Sequence, residues 1–313
     1  MIKTGEKGEK GKDEKKGIKR LKDKKEKRLV VKADTVQQCS PARSLNNGLV
    51  AENKTCLTSA ELKALAAAAN LSGPFGSLGA KEAKEIEDKI KEIVKQDPRS
   101  PVGSLYSKLK ARAYKPPKPK TWSLNKRKWL DTNDIMAVMK QYEDAHPDFA
   151  FLGVFPIDFA EDGVCRMQQS CNIKVADLRE KGKRMAGMVI NLDRHDQSGS
   201  HWVAWFCCFD AAHKKYGQCF YDSGGHKPPP IFIKFMKDIK GQMEGKEKAF
   251  RARYNRALHQ FQNTECGIFS MLFLTTCLES EKHETYQHVK DKIKSIVDKK
   301  DDGIFKFRSH FYL

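Results

Sequence analysis

The chain has 313 residues, 39% hydrophobic and 32% charged, with a formal net charge of +19. No apolar run is long enough to span a bilayer, which excludes a helical membrane protein. So large a charged fraction also excludes packing the whole chain into one core.

The charge is concentrated at the start. Residues 1–32 hold fourteen Lys/Arg against six Asp/Glu, a net +8. The run "KGEKGKDEKKGIKRLKDKKEKR" cannot bury enough apolar surface to fold. A solvated tail is expected over 1–38, serving either solubility or contact with nucleic acid or another polyanion. No apolar leader precedes it, so no signal peptide is expected.

A helical arm is expected over 39–113. Thr58 or Ser59 can cap a helix carrying Leu62 and Leu65. "GPFGSLG" (73–79) breaks it. Residues 80–96 place Ile86, Ile90, Ile93 and Val94 on one face of a second helix, which Asp97-Pro98 ends. "YKPPKPKTW" (114–122) reads as an extended linker. Residues 123–313 then suit one α/β-type domain.

Within that domain 127–147 predicts a helix capped by Asp131 or Thr132. Strands are expected at 184–192, 201–210 and 216–225. In the second of these Trp202, Ala204 and Phe206 face one way, and Val203, Trp205 and Cys207 the other. The prolines of "KPPPIFIKFMKDIKGQM" suit the first turn of a helix. Residues 253–262 read as a last strand, before the apolar helix "CGIFSMLFLTTCL".

Nine cysteines occur with irregular spacing and no CxxC pair, so no metal site is expected. Without a secretory signal they read as reduced thiols.

Cys266 opens its apolar helix just behind Asn263, Thr264 and Glu265. A helix N-terminus offers free N–H groups and a positive dipole end, which favour a thiolate nucleophile. A buried structural cysteine is the plain alternative. Catalysis needs a base and a group to orient it. His201 stands at the mouth of the strand "HWVAWF". Asp222 ends the next strand, and two antiparallel neighbours would bring them together. Acyl transfer also needs donors for the developing oxyanion. Gln260 and Gln262 can each supply an amide beside the Cys266 N–H, and sequence physics does not choose between them.

The series "SGSHWVAWF", "CFYDSGGHKPPP" and "HQFQNTECGIFS" resembles the Ulp1/adenain-type cysteine proteases. Its likeness is to the branch in large cytoplasmic DNA viruses that processes polyproteins. "WLDTNDI" (129–135) and "CSP…TCLT…EL" (39–62) are similar to further parts of that pattern. The resemblance covers about 39–313. It implies an α+β papain-like fold, a central mixed sheet against the Cys266 helix. It implies Cys266 as nucleophile, His201 as general base, Asp222 as its orienter and Gln260 as oxyanion donor. It also implies Trp202 packed over these groups or lining a narrow groove, with no cofactor. The implied substrates are viral structural polyproteins cut after Gly-Gly-type sites, in virions and at cytoplasmic assembly sites. A deSUMOylating or deubiquitinating isopeptidase shares this chemistry. A non-enzymatic basic component of a nucleoprotein core is the alternative of another class.

Overall fold

A computed structural model describes residues 38–46, 55–73, 78–167, 173–243, 245 and 249–313. The expected basic tail, apart from Gln38, lies outside the described residues, as does most of the "GPFGSLG" break.

The N-terminal portion is a small helical bundle: α1 (Pro41–Asn46), α2 (Ser59–Ala68), α3 (Ala80–Gln96) and α4 (Pro101–Ala113). Thr58 rather than Ser59 caps α2. Its Oγ1 accepts from the Glu61 N–H (3.2 Å) while the Glu61 carboxylate accepts from the Thr58 N–H (2.8 Å). Leu62, Leu65, Ala83, Ile86, Ile90 and Tyr106 share one apolar cluster. The helix α4 was not anticipated. Pro98 hides its start, yet Pro101 occupies the first turn, where a missing N–H costs nothing, and Ser100 caps Gly103 (3.0 Å). Among the described residues no helix is long and apolar enough to cross a membrane.

The cysteine expectation needs correction. Cys39 and Cys56 form a disulfide, Cα atoms 5.2 Å apart, and Cys165 is disulfide-bonded too. Cys39 and Cys56 are brought together in the bundle's own core, a proximity that spacing alone does not disclose. Cys207, Cys208, Cys219, Cys266 and Cys277 are free and buried.

Residues 115–119 belong to no helix or strand; Lys120–Ser123 then turn as a 3-10 helix that buries Trp122. Helix α5 (Thr132–Ala145) follows, with Asp131 as its cap. Five strands make one mixed sheet in chain order: β1 (Phe149–Pro156), β2 (Met185–Asn191), β3 (Trp202–Cys208), β4 (Gly217–Tyr221) and β5 (Arg251–Tyr254). The β1–β2 and β4–β5 pairs are parallel; β2–β3 and β3–β4 are antiparallel. Short helices α6 (Val164–Met167) and α7 (Val175–Glu180) lie between β1 and β2 in the chain, and α8 (Pro230–Gly241) precedes β5. After β5 come α9 (Cys266–Glu279), α10 (Tyr286–Lys294), α11 (Asp302–Phe305) and α12 (Arg308–Phe311).

Strand β3 divides its side chains as its alternation predicts. Trp202, Ala204 and Phe206 enter the core shared with α5, α9 and α10. Val203, Trp205 and Cys207 enter the core covered by α8. Helix α9 is buried on every face from Cys266 to Leu278, as expected of a helix apolar all round. Strand β1 escaped the sequence reading because a strand buried on both faces shows no alternation.

The strand expected at 253–262 is also corrected. It ends at Tyr254, because Asn255 turns the chain. Its Nδ2 donates to the Asp222 and Ala257 carbonyls (2.9 and 2.7 Å), and its Oδ1 accepts from the Ala257 N–H. The segment 255–265 is therefore a loop leading into α9.

Candidate active site

Cys266 is the first residue of α9, and its side chain is buried. No side chain caps this helix, so its first N–H groups are free to meet an anion.

His201 directly precedes β3, and Asp222 directly follows β4. The antiparallel register pairs Ala204 with Tyr221, which brings the two residues to the same end of the sheet. His201 Nε2–H donates to Asp222 Oδ1 at 2.7 Å, and the Cys266 thiol lies near enough to act on the imidazole's charge. Burial pulls the His201 pKa down, but the hydrogen bond to Asp222, the nearby Cys266 thiol and the charges of both outweigh it. The result is a rise to about 9, so the imidazolium is favoured at neutral pH.

Asp222 is almost fully buried. Burial pushes its pKa up, yet His201, the Gly224 N–H (2.7 Å) and His226 (2.9 Å to Oδ2) hold it below the ordinary carboxylate value. His226 is thus a second imidazole on the same carboxylate, which the sequence reading missed. Its spacing of four residues within "DSGGH" was the available signal.

Gln260 and Gln262 separate in the structure. Gln260 Oε1 accepts from Ser223 Oγ (2.7 Å), and its Nε2 donates to the Gln262 carbonyl. An amide nitrogen has two protons, so a second donor remains. The His259 and Gln260 N–H groups both donate to the Ser223 carbonyl (2.8 and 3.0 Å). The Gln260 loop is therefore pinned to the turn that carries Asp222. The Gln262 side chain is exposed.

Two contacts from the C-terminal segment brace this loop, and neither was read from the sequence. The buried Asp301 carboxylate accepts from the Phe261 and Gln262 N–H groups (3.1 and 2.7 Å). Arg308 Nε and Nη2 donate to the two oxygens of Glu265 (2.8 and 3.0 Å). The available signal was Glu265 itself: a charge opening a wholly apolar helix needs a partner.

Trp202 is largely buried, and its Nε1 donates to the Leu130 carbonyl (3.0 Å). A Cβ on Gly267 would sit 3.1 Å from Leu130 and 3.4 Å from Trp202, so the glycine lets both stand against the start of α9. His201 and Trp202 also line a cleft of about 430 Å³ with Trp129, Arg194, His195 and Gly199.

No family profile matches the sequence. Over 158 residues the chain is 32% identical to a protein of Acanthamoeba polyphaga mimivirus, provisionally named a thiol protease, covering 49% of each protein. Over 131 residues it is 28% identical to a cysteine protease of African swine fever virus, covering 40% of this chain and 43% of that one. The chain thus spans about half or less of the curated relatives it matches. A crystal structure of the African swine fever virus protease aligns with a TM-score of 0.61 at 19% identity. That alignment covers 89% of this chain and 96% of the other. The α+β fold is that of this protease, and the sequence relatives are viral thiol proteases.

Proposed function

We propose that the protein is a cysteine endopeptidase, with a helical arm at 39–113 joined by 114–122 to a catalytic domain at 123–313. The observation that carries this is the Asp222–His201 hydrogen bond (2.7 Å) with the Cys266 thiol near enough to raise the imidazole's pKa, the thiol standing at a helix N-terminus.

The Cys266 thiolate attacks the scissile carbonyl carbon, forming a C–S bond while the C=O electron pair moves to oxygen. The Cys266 N–H and the free Gln260 amide proton receive that oxyanion. The imidazolium of His201 gives its proton to the leaving amine as the C–N bond breaks. His201, now neutral, takes a proton from a water whose oxygen bonds the acyl carbon; the C–S bond breaks, the carboxylic acid leaves, and the Cys266 thiolate and His201 imidazolium are restored. Asp222 keeps the imidazole oriented throughout. Trp202 walls the cleft beside these groups.

The substrates in this reading are viral structural polyproteins cut after Gly-Gly-type sites during virion maturation, at cytoplasmic assembly sites and in virions. The viral thiol-protease relatives support it. The basic tail would add non-specific contact with nucleic acid.

The test is incubation of the purified protein with Gly-Gly-X peptides, a polyprotein segment, and SUMO and ubiquitin fusions, with Cys266→Ala as control. Cleavage of the polyprotein and peptides that disappears in Cys266→Ala is expected. Cleavage confined to the modifier fusions would move the reading to an isopeptidase. Cleavage of none would overturn it.

A further inference from the structure

Away from the thiol, β5 and α10 enclose a second cleft of about 470 Å³. Arg253, Arg256, Lys290 and Lys294 line it, against the single acid Asp291. Among the described residues none of the four cations has an ion-pair partner, whereas Lys292 on the same helix holds Glu284 at 2.7 Å. Asp291 is engaged by Gln287 (2.9 Å). Arg253 and Arg256 lie over the Tyr286 and Tyr254 rings instead of against carboxylates. At the cleft floor His259 is buried, with Tyr221 Oη at 2.8 Å from its Nδ1. Burial lowers its pKa most, and the Lys290 and Lys294 charges lower it further, to about 4, against a small opposing effect of Asp291. The cleft is therefore a concentration of four positive charges offset only by Asp291, which an anion would relieve.

We propose that this cleft is a binding site for a phosphate-bearing polyanion. An extended acidic peptide presents alternate side chains to opposite faces, so only every second carboxylate would reach the cations. Successive phosphates carry a charge on each unit and match the four cations that line the cleft better. Two arginine forks suit phosphate oxygens. The site does not depend on the protease reading, and its test needs no turnover.

The experiment is titration calorimetry of the full-length protein with tripolyphosphate, and separately with a short oligodeoxythymidine strand. Lys290→Glu/Lys294→Glu and Lys290→Gln/Lys294→Gln are the comparison proteins. The basic tail is present in every arm, so its contribution cancels. NMR of the His259 ring gives a second readout. Tripolyphosphate should bind the wild type at least tenfold more tightly than the Glu variant. It should also raise the His259 pKa, because the anion offsets Lys290 and Lys294. A salt slope for the strand that falls by about 1.4 in the Gln variant (about 0.7 per lost phosphate contact) would identify nucleic acid as the source. An unchanged slope with tripolyphosphate still sensitive to the variants would identify a small free polyphosphate. Equal tripolyphosphate affinity in all three proteins, an unmoved His259, or tighter binding of oligoglutamate than of tripolyphosphate would each overturn the proposal.

Discussion

Arg308 donates two hydrogen bonds to Glu265, the residue that immediately precedes Cys266. Both partners are buried, and Arg308 also donates to the Lys126 and Lys128 carbonyls (2.8 and 3.0 Å). One guanidinium thus ties the start of α9 to the segment leading into α5. Removing it leaves the buried carboxylate with only the Thr264 hydroxyl (3.0 Å) and the more distant Arg127 Nη1 (3.9 Å), at a cost of about 3 kcal/mol. Arg308→Met should lower the melting temperature strongly. Arg308→Lys should not restore it, because an ammonium cannot reproduce the fork. Glu265→Met/Arg308→Met should recover much of the loss in the same thermal scan.

Cys266 should stand apart from the other free cysteines in reactivity. Burial drives the pKa of Cys208 up to about 11 and of Cys219 up to about 12, and pushes Cys207 and Cys277 well above the ordinary thiol value. Iodoacetamide at neutral pH should therefore label Cys266 first, as read by peptide mass mapping. Cys266→Ala should abolish cleavage while the protein stays folded. Equal labelling of several cysteines in the native protein would rule out an activated thiol.

His201 should titrate near pH 9 when followed by NMR of its ring. Its folded pKa exceeds the unfolded value of about 6.5. The associated stability is then fully present below about pH 6.5 and is lost as pH rises through about 9. Asp222→Asn removes the carboxylate that opposes burial, so the His201 pKa should fall and this pH dependence of unfolding should flatten. Activity should suffer less than in His201→Ala, since the amide oxygen can still accept from the imidazole. A loss as deep as that of His201→Ala would show that the charge of Asp222 matters as well as its position.

Gln260→Ala should lower kcat by about 10²–10³ with little change in KM, the usual cost of one oxyanion donor. Gln262→Ala should be near neutral. Ser223→Ala should fall between them, because the buried Ser223 hydroxyl holds the Gln260 amide. Steady-state kinetics on one peptide ranks the three, and a Gln262 effect larger than that of Gln260 would reverse the assignment.

The Cys39–Cys56 bond closes a loop with a sequence separation of 17 residues. A loop of this size constrains the unfolded chain by about 3 kcal/mol. Cys39→Ser/Cys56→Ser should lower the denaturant midpoint by a corresponding amount. Iodoacetamide reactivity of Cys266 should persist wherever the variant remains folded.

The amphipathic helix α3, the three strands 185–191, 202–208 and 217–221, and the convergence of His201 with Asp222 could be read from periodicity and order. These features depend on local pattern and on antiparallel adjacency. Asp301 and Arg308 could not, because their partners lie about 40 residues away (Gln262 and Glu265); the charge of Glu265 marks the need for a partner but not which residue supplies it. The disulfide and β1 were missed for related reasons. One is a matter of distance in space, and the other lacks the alternation that identifies a strand.

The order of the sheet also bears on when the site can exist at all. His201 and Asp222 belong to an antiparallel pair joined through residues 209–216, a short-range closure that can form early. Cys266 is separated from them in the chain by α8, by β5, which pairs parallel to β4, and by the 255–265 loop held to Ser223 and Asp301. Contacts of long sequence separation are the slow ones in folding. A partly synthesised or partly refolded chain would therefore hold its imidazole–carboxylate pair without a competent thiol, and latency is built into the assembly order. In stopped-flow refolding, recovery of iodoacetamide reactivity at Cys266 should lag behind formation of the β-sheet signal.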